Sequence, residues 1–179
     1  MADNGMWSEP GSDPRQGVPP GRGEREVLAQ YLDHYRMTLE LKCEGLTAAQ
    51  LATRSVPPST LSLLGLVRHL ARVEHSWWRR VIEGHADLPR LYRTDADPDL
   101  DFTGALPDDA TVADAWRSWH EEVEHAREVY AGLDLDATVE VHGDEVEMRD
   151  IVVHLVEEYA RHLGHADLLR ECVDGRTGQ

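Results

Sequence analysis

From residue 24 onward, apolar positions recur at helical rather than strand-like spacing. Val27, Leu28, Tyr31, Leu32, Tyr35, Leu39 and Leu41 predict a first long helix that ends near Gly45. A short turn of helix is expected over 47–51, and Val56-Pro57-Pro58-Ser59 then breaks the chain. A second helix over 61–83 places Leu63, Leu66, Val67, Leu70, Val73, Trp77 and Val81 on one face, and Gly84 stops it. Residues 85–110 are rich in Asp and Pro and hold no sustained period, so they read as a long connection. The third helix begins at Thr111, where Thr111 and Asp114 read as a capping pair, and it ends at Gly132. It carries Val112, Ala115, Trp116, Trp119, Val123, Ala126 and Tyr130. Alternation over 138–146 around Gly143-Asp144 predicts a short extended turn. The fourth helix runs over 149–173, and Gly175 closes it.

Four amphipathic stretches without a convincing sheet predict an all-α fold, a four-helix bundle. The connection over 85–110 is long enough to cross the length of a bundle, which lets the second and third helices run parallel. Residues 1–23 hold four prolines and five glycines with little apolar content, and are expected to be a disordered tail. Residues 24–176 then form the domain, since 179 residues suffice for one sizeable core and not for two.

Composition narrows the partners. With 34 acidic against 18 basic residues the formal charge is −16, a surface that repels phosphate backbones and anionic lipid, so nucleic acid is excluded. No run of about 18 apolar residues occurs, so no membrane span is expected. Cys43 and Cys172 stand in no metal or redox spacing and fit a reducing, cytoplasmic setting as ordinary small apolar residues.

The chemistry concentrates in the fourth helix. At about 100° per residue, Glu158, His162 and His165 fall within an arc of roughly 60°, with His154 beside them. Ile151, Leu155 and Leu169 share that side, so the stripe faces inward. Inward carboxylates and imidazoles are costly unless something satisfies them, and a divalent cation does. On the second helix His69 lies at the edge of the apolar face. Alone it reads as an ordinary packed histidine, but if the two helices are neighbours it meets Glu158 and His162. Two nitrogens and one oxygen leave a coordination position open, the pattern of a catalytic site; zinc and nickel both suit it. His165, three residues after His162, is also placed to ligate. His154 is open between further ligand, supporting donor and plain surface residue. Glu74, beside Leu70 and Trp77, reads either as a general base or, more simply, as the partner of an arginine such as Arg161. Arg72, Arg79 and Arg80 read as a solvated face, and Trp77, Trp78, Trp116 and Trp119 as core. The motifs of a phosphate loop, a nucleophile elbow and a zincin protease are missing from the sequence.

Two segments, RSVPPSTLSLLGLVRHLARVE over 54–74 and EEYARHLGHADLLRE over 157–171, resemble the DinB-like superfamily. The likeness covers about residues 24–176 and is greatest to the actinobacterial branch that includes the mini-circle protein. It implies an up-down-down-up four-helix bundle, a homodimer, and a divalent metal held by His69 and by two ligands four apart on the fourth helix. Many relatives carry histidine at both of those positions; here they are Glu158 and His162. A His, Glu, His set resembles that of the mycothiol-dependent maleylpyruvate isomerases. The resemblance therefore implies a metal- and thiol-dependent transferase or isomerase, with mycothiol as co-substrate and a small thiol or electrophile as partner. The alternative is a non-catalytic, stress-associated metal-binding or interaction protein.

Overall fold

The computed structural model describes residues 13–178. Residues 1–12 of the expected tail lie outside the described residues. The part of it that is described rests on the first helix: Arg15 pairs with buried Asp13 and donates to Thr38 Oγ1, and Gly21 N–H donates to Gln30 Oε1.

The chain is mostly helical. Helix α1 spans Gly23–Cys43 and the short α2 spans Ala48–Leu51, the latter held by a Thr47–Gln50 capping box. Helix α3 spans Leu63–His75, started by Ser62 Oγ accepting from Gly65 N–H, and continues into a π-helical stretch, Ser76–Ile82. The connection holds a four-residue helix, α4 (Leu100–Thr103). Helix α5 spans Asp109–Gly132 and α6 spans Met148–Asp174, closed by left-handed Gly175. Between α5 and α6 the expected extended turn is a hairpin of β1 (Thr138–Val141) and β2 (Asp144–Glu147), turned at His142 and Gly143, both at positive φ. No helix among the described residues is long and apolar enough to cross a membrane.

Two local expectations need correction. Helix α5 is capped by Asp108, whose carboxylate accepts from Thr111 N–H, and not by Thr111 with Asp114. Asp114 instead accepts from Tyr92 OH and Arg117. On α3 the inward face is not centred on Trp77 and Val81: both pack half-buried against the core, while Trp78 is fully buried. A π turn takes up about one residue more than an α turn, so the buried face slips by one position beyond His75.

Polar pairs fix the sense of each helix against its neighbours. Arg149 on α6 meets Glu24 on α1, and Lys42 meets Asp167, so positions on α1 and α6 rise together. Arg68 approaches Asp114 and Arg79 meets Glu122, so α3 and α5 also run in the same sense. Arg127 meets Asp33 and His120 meets Glu40, which sets α5 against α1. The core between them gathers Leu39, Leu66, Leu70, Trp78, Ala115, Trp119, Ile151, Leu155 and Tyr159.

At its centre lies a carboxylate with no exposure, Glu74 of α3. Arg36 of α1 donates to it through Nε (2.9 Å) and Nη2 (3.0 Å). Trp78 Nε1 (2.7 Å) and the Tyr159 hydroxyl of α6 (2.7 Å) complete its shell, and Trp119 Nε1 of α5 donates to that hydroxyl (2.9 Å). Burial alone would make Arg36 less basic, but Glu74 outweighs it and the guanidinium is held firmly protonated. Burial, and then the Glu74 charge, push the Tyr159 hydroxyl well above its ordinary value, so it stays a donor. All four long helices are thereby tied to one anion. Glu74→Gln should destabilise the protein by about 3–5 kcal/mol, because it removes the buried counter-charge of Arg36 and leaves that guanidinium only the partly exposed Asp33. Tyr159→Phe should cost about 1–3 kcal/mol, the scale of buried polar groups left without partners. Urea denaturation followed by tryptophan fluorescence measures both. A Glu74→Gln cost in the range of a surface ion pair, about 1 kcal/mol or less, would contradict the assignment.

Candidate metal centre

The clamp that orders the core also aims the polar stripe. Tyr159 sits between Glu74 and the neighbouring Glu158, and His69 lies five residues before Glu74 on α3. Fixing Glu74 against Tyr159 therefore fixes the rotation of α3 and α6 at the level where His69, Glu158 and His162 project. These three are brought together: each offers a ligand atom within 4.8 Å of the others, and they are the one such group of three among the described residues.

Glu158 Oε2 stands 3.3 Å from His162 Nε2 and 3.8 Å from His69 Nε2. The two imidazole rings are 4.5 Å apart between centroids. Donors around a tetrahedral zinc at about 2.0–2.1 Å stand roughly 3.4 Å apart, so small side-chain movements suffice to close on an ion. The donor set also fits, and His69 Nε2 is buried with no hydrogen-bond partner. A buried ring nitrogen without a partner, facing a carboxylate and a second imidazole, is what a cation would satisfy. The side chains of His69 and His162 are each 13% exposed and that of Glu158 22%, so the group lies at the rim of the core and solvent reaches one side.

The other nitrogen of His69 is held from a direction the sequence did not reveal. Asp101 of α4, with no exposure, places Oδ2 2.9 Å from His69 Nδ1 and 3.0 Å from Arg72 Nη2. Asp101 lies in the connection that carries no periodicity; its only sequence signal is an acid beside the connection's one aromatic, Phe102, apart from Tyr92. The Phe102 ring stacks on His69 at 5.2 Å.

The remaining candidates separate. His165 is outside the group of three; its Nδ1 lies 3.4 Å from His162 Nδ1, on the far side of that ring from Glu158. His154 Nε2 lies 3.5 Å from the other oxygen of Glu158, with Trp77 against its ring. Glu74 pairs with an arginine, as the simpler reading had it, but that arginine is Arg36; Arg161 is exposed. Arg72 and Arg79 are not a solvated face, because the connection and α5 cover that side and supply Asp101 and Glu122. Burial pushes the Cys43 thiol up to about 12, so it carries no thiolate at neutral pH. Cys172 is exposed and ten residues beyond His162, about 15 Å along the helix. A cleft of about 470 Å³ beside α1, lined by Asp33, His34 and Arg127 among others, holds no comparable donor cluster.

Electrostatics at the site favour cations. The facing imidazoles, His162 foremost and then His69, hold the Glu158 carboxyl far below its ordinary range, against the opposing effect of burial. Burial works against a charge on His69, but Asp101 and Glu158 outweigh it and its basicity rises.

A match to the family described as mycothiol-S-transferase covers residues 27–175. No curated protein and no solved structure matches the chain.

The two shifts set a pH window for the metal-free protein. His69 is raised above 6.5, so its contribution to stability is complete below 6.5 and fades as pH rises through the raised value. Glu158 is lowered from 4.5, so its contribution is present above 4.5 and is lost as pH falls. The Tm difference between metal-free wild type and His69→Gln should be widest between pH 4.5 and 6.5 and narrow toward alkaline pH. Differential scanning fluorimetry across that range measures it, and a difference that grows with pH would contradict the charge assignment.

Proposed function

The chain belongs to the mycothiol-S-transferase family, and on that premise we propose that it is a cytoplasmic, metal-dependent transferase that delivers a low-molecular-weight thiol, mycothiol, to an electrophile. The observation that carries this reading is the unpartnered, buried His69 Nε2 facing Glu158 and His162. We read the four long helices as the up-down-down-up bundle of the DinB-like superfamily, supported by the paired senses of α1 with α6 and α3 with α5. A homodimer belongs to the same reading and rests on the resemblance alone.

His69, Glu158 and His162 would hold the cation, zinc or nickel by their donor types. When bound, it supplies the Lewis acidity that keeps a thiol deprotonated, and so nucleophilic, at neutral pH. The protein's own groups do the rest. Glu158 lowers the net charge of the ion's surroundings and, with His154 on its second oxygen, keeps Oε2 turned toward the two imidazoles. His165 backs His162: its Nδ1 lies 3.4 Å from His162 Nδ1, and a proton held between those two nitrogens on His162 would leave His162 Nε2 free to ligate. The thiol must come from outside, since burial holds Cys43 protonated and Cys172 is remote. The rim position of the three ligands leaves a side open for it.

Protein purified without a histidine tag should carry one divalent ion per chain by elemental analysis. His69→Ala and His162→Ala should each weaken zinc binding by more than about 100-fold, beyond what outer partners cost, and His165→Ala by less than that. With mycothiol and a panel of electrophiles, thiol consumption should need the metal and vanish in both ligand variants. Metal retained in His162→Ala but lost in His165→Ala would overturn the ligand choice. Stoichiometric metal with no turnover over a broad panel would favour the non-catalytic alternative.

A further inference from the structure

The connection between α3 and α5 is pinned to one stripe of α3. Gly65, Arg68, His69 and Arg72 follow one another at the spacing of a single helical face. A Cβ on Gly65 would stand 2.8 Å from the Phe102 ring, so the glycine lets that ring reach the helix. Arg68 donates through Nε to the Asp101 carbonyl and through Nη2 to the Leu100 carbonyl, both at 3.0 Å. Arg72 Nη1 donates to the Pro98 carbonyl at 3.1 Å. The outcome of these holds is the placement of one carboxylate, Asp101, fully buried against the Nδ1 side of His69.

We propose that Asp101 is a positioning residue: it accepts the Nδ1 proton of His69, so that the unprotonated Nε2 is the nitrogen presented to Glu158, His162 and a divalent cation. This rests on the metal reading above for its purpose, though not for its geometry. Charge neutralisation alone does not explain the arrangement, since Arg72 already pairs with Asp101 Oδ2 at 3.0 Å. What the second contact adds is a choice between tautomers. Arg72 Nη2 is itself 3.3 Å from His69 Nδ1 and, were it the donor there, the ring proton would sit on Nε2 and block ligation. Asp101 is the closer partner at 2.9 Å and carries the full negative charge, so Nδ1–H is the favoured form. Phe102 Cδ1 and ring, stacked on His69, and Phe102 N–H, donating to Asp101 Oδ1 at 3.1 Å, keep imidazole and carboxylate in register. A carboxylate that orients a ligating imidazole in this way typically contributes ten- to a hundredfold in metal affinity.

Two-bond proton–nitrogen NMR of the full, metal-free chain, at a pH where His69 is neutral, reads the tautomer directly. Nδ1–H is expected; Nε2–H, the usual form of a free imidazole, overturns the assignment. Chelator-competition titration with zinc should show Asp101→Asn weakened by roughly 10–100-fold, with the helical circular dichroism unchanged. An affinity equal to wild type overturns the proposal. Should Asp101→Asn fail to fold, the wild-type tautomer still decides. A wild-type chain that shows Nδ1–H yet binds no zinc refutes the metal reading and leaves the Asp101–His69 assignment standing.

Discussion

One buried anion sets the geometry of the whole molecule. Glu74 lies where four helices meet, and every donor that reaches it comes with a requirement on the helix that bears it. Apolar packing alone tolerates sliding and rotation of helices at modest cost, because its attractions are non-directional. A carboxylate in a dry interior does not, since each lost donor leaves a charge uncompensated. The ion pair fixes α1 against α3, the Tyr159 hydroxyl fixes α6, and Trp119 carries the constraint to α5 through that hydroxyl. The net stability gained over a well-packed apolar centre is small by this reasoning; what the network supplies is a single register.

That register is what the rim of the core uses. Two acidic groups stand close together along α3 and α6, and their surroundings differ in one respect. Glu74 has four donors for its two oxygens and no group in its shell lacks a partner. Glu158 has imidazoles on both oxygens, and a third, His69, faces it with a buried nitrogen that has no hydrogen-bond partner among the described residues. The first arrangement is closed and structural. The second leaves a donor unsatisfied at the partly exposed rim, an arrangement that a cation would complete.

Much of this was legible in the sequence, because periodicity records which side of a helix faces inward. Glu158 and His162 could be placed by spacing, His69 only on the condition that its helix neighbours theirs, and the structure brings the three together. The misreadings share a cause: each needed knowledge of what covers a helix rather than of the helix itself. Arg161, not Arg36, reads as the partner of Glu74 until α1 is packed against α3. Arg72 reads as solvated until the connection folds over it. Trp77 and Trp78 both read as core, but which of them is fully buried depends on a π-helical stretch that leaves no mark in an apolar period. Asp101 was beyond reach for the same reason, lying in a segment with no period to read.

The connection shows why a stretch without pattern still has a determined position. Its hold on α3 is polar and specific: guanidinium groups of Arg68 and Arg72 bind three backbone carbonyls, and Tyr92 stacks beneath Arg68 at 3.9 Å while donating to Asp114 and accepting from the Ser118 hydroxyl. These interactions come from residues that a hydropathy profile scores as surface. They let the α3 face that bears His69 be covered by a loop instead of a fifth helix, and a loop can bring a carboxylate side-on to an imidazole where a packed helix would bring an apolar ridge. The Nε2 face of His69 is then turned toward α6 while its other nitrogen is held by Asp101. The four long helices thus acquire a half-open polar rim without giving up any of their apolar interior.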